Sequence, residues 1–143
     1  MLIFTGCNPL NPPPVHARSG PVVFLGDSIF ARWDLNAFFP AKNYVDAGIA
    51  GQTTQQILAR VQDTISGNNV CEGDAGIINC QTIMPPGTII IFVGWNDLFQ
   101  GTSPHAAVAD IRQMAELCIA SNVQPILVTV YLYNADCGSA PRV

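Results

Sequence analysis

Positive charge is scarce in this sequence. Six basic residues, Arg18, Arg32, Lys42, Arg60, Arg112 and Arg142, are scattered over 143 positions, and the net charge is −4. A phosphate-binding face needs clustered Lys and Arg, so a nucleic-acid partner is not expected. Histidine is scarcer still, at His16 and His105 only. No Cys/His grouping has metal-ligand spacing, and neither of the common glycine-rich phosphate loops is present, so neither a metal nor another cofactor is expected. No apolar run approaches the length of a membrane span. Charged residues make up 11% of the chain against 49% hydrophobic ones, a balance that suits one globular domain with a thick interior and not a disordered segment.

Short apolar runs alternate with helical patterns along the chain. Pro21 to Leu25, Tyr44 to Ala47, Thr88 to Val93 and Ile126 to Leu132 read as strands. Ile29 to Phe39 reads as a short helix or helical turn stopped by Pro40. Thr54, Ile57, Leu58, Val61 and Ile65 recur at helical spacing and predict an amphipathic helix over 53–65 that ends near Gly67. Ser103-Pro104 supplies an N-cap and a first-turn proline, followed by a stripe of Val108, Ile111, Ala115, Cys118 and Ile119. This order predicts an α/β fold with a mainly parallel sheet and helices on both faces. The last strand reads as one buried on both faces, and left as an edge it would be an apolar, unpaired template. A further strand and helix are therefore expected beyond it, so the chain reads as incomplete at its carboxyl end.

Residues 1–20 form a proline-rich lead and 21–143 the domain. In the lead, Phe4-Thr5-Gly6-Cys7 resembles a bacterial lipobox, with Asn8 to Pro14 as a stiff tether behind a lipid anchor at Cys7. No positive charge precedes it and the apolar lead is short, so either the start belongs to a longer signal or the match is chance. Cys71 and Cys80 bracket the insert "CEGDAGIINC", where a disulfide is expected in an oxidising compartment. These two features point to an extracytoplasmic protein, secreted or lipid-anchored. Cys118 reads as a buried free thiol on a helix face, and Cys137 has no evident partner.

In an open parallel sheet, ligands bind at the carboxyl ends of the strands. Three such ends carry polar residues: Gly26-Asp27-Ser28, then Asp46 to Thr53, then Gly94-Trp95-Asn96-Asp97. A serine hydroxyl at this rim is placed to attack a carbonyl. The N–H groups of Ser28 and Gly51 and the side-chain amide of Asn96 are placed to meet the resulting oxyanion, with glycine at 51 leaving no Cβ in the substrate's way. Asp27, Trp95 and Asp97 are candidates for the pocket wall, the two aspartates as loop-shaping residues rather than acid or base. Each motif also has a plainer reading. Asp27-Ser28 suits a helix cap, Asn96-Asp97 a turn pair bonding its own backbone, and Trp33 and Trp95 packing.

Three stretches, "FLGDSIFARWDL", "DAGIAGQTTQQILAR" and "VGWNDL", resemble in order and spacing the first three blocks of the SGNH hydrolases, the GDSL esterases and lipases. The resemblance runs from Pro21 to about Leu132. It implies a flavodoxin-like three-layer α/β/α sandwich and hydrolysis of carboxylic esters with small acyl groups on a lipid or carbohydrate, with Ser28 as nucleophile and Ser28, Gly51 and Asn96 as oxyanion donors. The form of the second block resembles members near platelet-activating-factor acetylhydrolases, arylesterases and sugar-ester acetylesterases. The family's Asp-x-x-His block, which supplies the base, is absent from this chain. His16 reads as a linker residue and His105 as a surface residue at a helix start, so low activity is expected of these 143 residues. A catalytically inactive sugar- or acyl-binding module is the alternative, and a nucleotide- or flavin-binding protein a more distant one.

Overall fold

The computed structural model describes residues 17–128. Cys7, His16 and Cys137 lie outside the described residues, as does the chain after Val128. The elements are β1 (Val22–Gly26), α1 (Ser28–Ala31), α2 (Leu35–Phe38), β2 (Tyr44–Gly48), α3 (Thr54–Leu58), α4 (Val61–Ser66), β3 (Val70–Asp74), β4 (Ile77–Gln81), β5 (Thr88–Phe92), α5 (Trp95–Phe99), α6 (Pro104–Ala120) and β6 (Gln124–Val128). Four strands form a parallel sheet in the order β2-β1-β5-β6. Gly26 lies level with Gly48 on one side and Phe92 on the other. The three polar strand ends therefore open onto one rim.

Strand alternation sorts the two faces of the sheet. Val23, Leu25, Ile89 and Ile91 point to one side and pack with Ile57, Val61, Ile65, Met114 and Cys118 from α3, α4 and α6. Phe24 points to the other side, where Phe30, Trp33, Leu35, Phe39 and Tyr44 gather under α1 and α2. Phe24 meets Phe30 and Trp33 edge-on, with ring centroids 5.2 and 5.5 Å apart. Trp33 is thus a packing residue. Burying one such aromatic or aliphatic side chain contributes roughly 1.5–3 kcal/mol. Helices cover both faces, as the three-layer sandwich requires. Cys118 is a fully buried free thiol, and its burial pushes its pKa up to about 11.

Several elements depart from the sequence expectation. The helix expected over 53–65 is broken at Ala59-Arg60, where Arg60 takes φ −113° and ψ 2°. Its side chain turns inward instead of continuing the helix surface. The stretch from Ile29 to Phe39 is two short helices, because Asp34 starts a second one by accepting the Ala37 N–H. The cysteine-bracketed insert is an antiparallel hairpin, β3–β4, with Cys71 opposite Cys80 and a disulfide between them. Ala75 and Gly76 form its two-residue turn, both at positive φ. The hairpin joins the rim through the Ala50 N–H, which donates to Gly73 O at 2.9 Å. The last strand starts at Gln124, two residues earlier than expected. It ends the sheet among the described residues, and Ile126, Leu127 and Val128 are 45%, 48% and 42% exposed, in line with an apolar strand left as an edge.

Candidate active site

Glycines at two strand ends let the site close up. A Cβ on Gly26 would come within 2.5 Å of Phe92 O, and one on Gly48 within 2.3 Å of the Ala31 nitrogen. With neither present, α1 starts directly against the end of β2. Asp27 caps α1, its Oδ1 accepting the Ile29 N–H at 3.0 Å, and Ser28 is the helix's first residue, half-buried. Asp27 itself is buried, and the loss of water around its carboxylate raises its pKa. The cap reading holds at Asp27, and it leaves Ser28 at the helix start on the rim.

The second loop turns at Gly51, which is exposed and has φ +82°. A Cβ there would meet no atom of the protein within 4 Å. Glycine is required by the left-handed backbone and not by crowding within the chain. After it, Thr53 and Gln56 form a capping box at the start of α3, the Gln56 Oε1 accepting the Thr53 N–H at 2.9 Å.

Asn96 joins the three loops. Its Nδ2 donates to Gln52 O at 2.9 Å and to Asp27 Oδ2 at 3.3 Å. Asp97 does not bond its own backbone, as a turn pair would. It is 1% exposed and reaches across to the second loop, where its Oδ2 accepts the Thr54 N–H at 2.9 Å and its Oδ1 the Thr54 hydroxyl at 2.7 Å. Trp95 is partly exposed on the same short helix and packs edge-on to Phe99, centroids 5.3 Å apart.

Beneath the rim lies a cation that sequence reasoning missed. The Arg60 guanidinium donates to Gln52 Oε1 at 2.7 Å, Ala47 O at 2.7 Å, Gly26 O at 3.2 Å and Cys71 O at 3.3 Å. Burial lowers its pKa to about 10, so it stays charged at neutral pH. One signal was available: Arg60 falls on the apolar stripe between Ile57 and Val61. Thr54 and Asp110 were also missed, the Thr54 hydroxyl lying 2.8 Å from Asp110 Oδ2. Beside β2, Trp33, Tyr44, Asp46 and Glu72 line a depression of about 330 Å³. There burial, reinforced by the Glu72 charge, pushes the Asp46 carboxyl up to about 6 against the opposing Gly48 N–H. His105 is exposed on the first turn of α6, in a shallow depression with Pro104 and Val108. Among the described residues no cluster of three or more His, Cys, Asp or Glu side chains is arranged to hold a metal ion.

Known proteins share this fold. A GDSL-like lipase from Bacteroides thetaiotaomicron superposes with a TM-score of 0.58 at 29% identity, covering 76% of this chain and 47% of that one. The psychrotrophic esterase EstA from Pseudoalteromonas superposes with a TM-score of 0.60 over 85% of this chain and 64% of its own, at 16% identity, a likeness of fold alone. The Escherichia coli protein thioesterase 1/protease 1/lysophospholipase L1 is 26% identical over 127 residues, 81% of this chain and 53% of that protein. The chain spans about half the length of the curated relatives it matches. Residues 24–142 match the GDSL-like lipase/acylhydrolase family, and on that match, over the flavodoxin-like sheet just described, the chain belongs to this family of the SGNH hydrolases.

Proposed function

We propose that this chain carries the nucleophile and oxyanion hole of a serine esterase that acts on small acyl esters of a lipid or carbohydrate. The observation that carries the reading is the Asn96 amide, which ties the loop after Asp27-Ser28 to the loop that holds Gly51. In the reaction Ser28 Oγ attacks the ester carbonyl carbon. The carbonyl oxygen, now negative, accepts hydrogen bonds from the Ser28 N–H, the Gly51 N–H and Asn96 Nδ2. Asn96 has two amide hydrogens. One is committed to Gln52 O at 2.9 Å, and the other, on the longer 3.3 Å contact to Asp27 Oδ2, is the one offered to the oxyanion. Asp27 and Arg60 orient the loops and transfer no proton.

The base in this proposal is a histidine in an Asp-x-x-His segment, which residues 1–143 lack. It takes the Ser28 proton during attack and returns it to the leaving alcohol. His105, exposed at the start of α6, is not assigned that role. An extracytoplasmic location, with Cys7 as a lipid anchor, belongs to the proposal and is supported by the Cys71–Cys80 bridge.

Turnover of p-nitrophenyl acetate tests the reading. The 143-residue chain should show no more than the ~10³–10⁴-fold acceleration over water left to a site without its base. Extending it with a segment bearing Asp-x-x-His should raise turnover, and Ser28→Ala should abolish that gain while leaving solubility unchanged. A gain that survives Ser28→Ala sinks the proposal. Full Ser28-dependent turnover without the extension would move the base to His105.

A further inference from the structure

Asp97 takes no part in the proposed reaction, yet its buried carboxylate accepts two hydrogen bonds from Thr54. Gly51, by contrast, has little to hold it. It is exposed, its positive φ suits the most flexible residue, and no neighbouring side chain packs where a Cβ would be. The only backbone bond closing its turn is a long one, from the Gln52 N–H to Ile49 O at 3.3 Å. Arg60 bonds the Gln52 side chain and the Ala50 N–H donates to Gly73 O, and the backbone beyond Gly51 is held from the third strand end. Asn96 holds Gln52 O, and Asp97, the next residue, holds both the N–H and the hydroxyl of Thr54. Two adjacent side chains thus grip alternate positions of the loop that follows Gly51.

We propose that Asp97 is a positioning residue, which through Thr54 fixes the Gly51–Thr53 turn in register with Asn96. Its purpose in catalysis rests on the esterase reading; the clamp itself does not. A backbone donor is useful to an oxyanion only while its aim is kept, and a displacement of ~1 Å at a reacting centre costs on the order of 10²-fold in rate. An exposed glycine cannot keep that aim by packing. Two bonds to a buried carboxylate can keep it, because charge-assisted hydrogen bonds are about twice as strong as neutral ones.

Asp110 gives the proposal a sharp internal control. The Thr54 hydroxyl has one hydrogen and faces two carboxylate oxygens, Asp97 Oδ1 at 2.7 Å and Asp110 Oδ2 at 2.8 Å. In Asp110→Asn an amide N–H donates to the Thr54 oxygen and leaves its hydrogen entirely to Asp97. That variant should keep the clamp or tighten it. Asp97→Ala removes both acceptors, leaves the Thr54 N–H without its partner, and opens the clamp.

Backbone ¹⁵N relaxation of the full 143-residue chain reads the loop without requiring any turnover. In the unaltered chain the Gly51 and Gln52 order parameters should be near ~0.85, the rigid value. Asp97→Ala, and independently Thr54→Val should the first fail to fold, are expected to drop them below ~0.6, with Leu25 of β1 and Ile91 of β5 unmoved. Thr54→Ser and Asp110→Asn should match the unaltered chain. Unchanged values at Gly51 and Gln52 in the clamp variants would overturn the proposal. So would an equal fall across β1 and β5, which would make Asp97 a general support of the fold, or a loosening by Asp110→Asn as large as that by Asp97→Ala. In the chain extended with Asp-x-x-His, Asp97→Ala should lower kcat at least ~10-fold with KM unchanged, the size expected from losing a bond to a charged group. If the order parameters follow and the extended parent has no Ser28-dependent turnover, the clamp stands and the esterase reading falls.

Discussion

The rim of the sheet and its β6 flank are finished in opposite ways. At the rim, Asp27, Thr53, Thr54 and Asp97 are buried, and no buried side-chain nitrogen or oxygen among the described residues lacks a partner. At the flank, Ile126, Leu127 and Val128 on β6, with Val108 and Ile119 on α6, are apolar and 42–63% exposed. The rim is held by directional bonds that each name a donor and an acceptor. The flank offers only apolar surface, which is non-directional. The contrast separates what the described residues specify, a set of loops bonded to one another, from what they leave open, the neighbour of an apolar edge.

The largest effect should come from breaking the rim. Arg60→Met removes the donor from Gly26 O, Ala47 O, Cys71 O and the Gln52 side chain together. Stability in urea should fall by about 3 kcal/mol, the scale for buried acceptors left unsatisfied. Arg60→Lys keeps the charge but not the planar fork, and should recover only part of the loss. If Arg60→Met instead costs less than ~0.5 kcal/mol, the value of an ordinary surface change, the rim is not organised around this cation.

A smaller effect, of opposite sign, is expected at Asp46. Its carboxyl is pushed up to about 6 from an ordinary value of 3.8, first by burial and then by Glu72. The folded state therefore binds a proton more tightly than the unfolded state does. This residue's contribution to stability is fully present below pH 3.8 and is lost as pH rises through 6. Asp46→Asn should stabilise the protein at pH 7.5 by about 1–2 kcal/mol, and do nothing at pH 3.5. Urea titrations at the two pH values check this, and a variant equally stabilised at both would contradict the assigned cause.

The smallest change in stability should occur at the flank. Leu127→Lys alters a side chain that is 48% exposed, so its stability should stay within ~0.5 kcal/mol of the parent. Its effect should appear in self-association, because a charge on an apolar edge strand opposes edge-to-edge pairing. Sedimentation across a concentration series should show less association than the parent. A loss of stability comparable to that of Arg60→Met would mean the two regions do not differ in the way described.

What the sequence revealed follows the same division. β1, β2 and β5 were legible because short apolar runs ended at glycines, and the start of α6 because Ser103-Pro104 is a local signal; Ser103 does accept the Ala106 N–H. The three polar strand ends could be put on one rim from topology alone. The break at Arg60 was not legible, since Ala59 and Arg60 both favour helix and the cause is a set of carbonyls up to 34 positions away. Thr54 looked like a stripe residue, and its partners lie 43 and 56 positions on. The hairpin was hidden because its turn uses Ala75-Gly76, where the usual signal at such a turn is Asn-Gly or Asp-Gly.

The most direct test of the central claim, that Ser28, Gly51 and Asn96 form one site, is to map the serine modified by a fluorophosphonate in the chain extended with Asp-x-x-His. The account predicts a single adduct on Ser28, formed at least ~10²-fold more slowly in Asn96→Ala because one oxyanion donor is gone. An adduct on a different serine, or labelling of Ser28 at the same rate with and without the Asn96 amide, would contradict it.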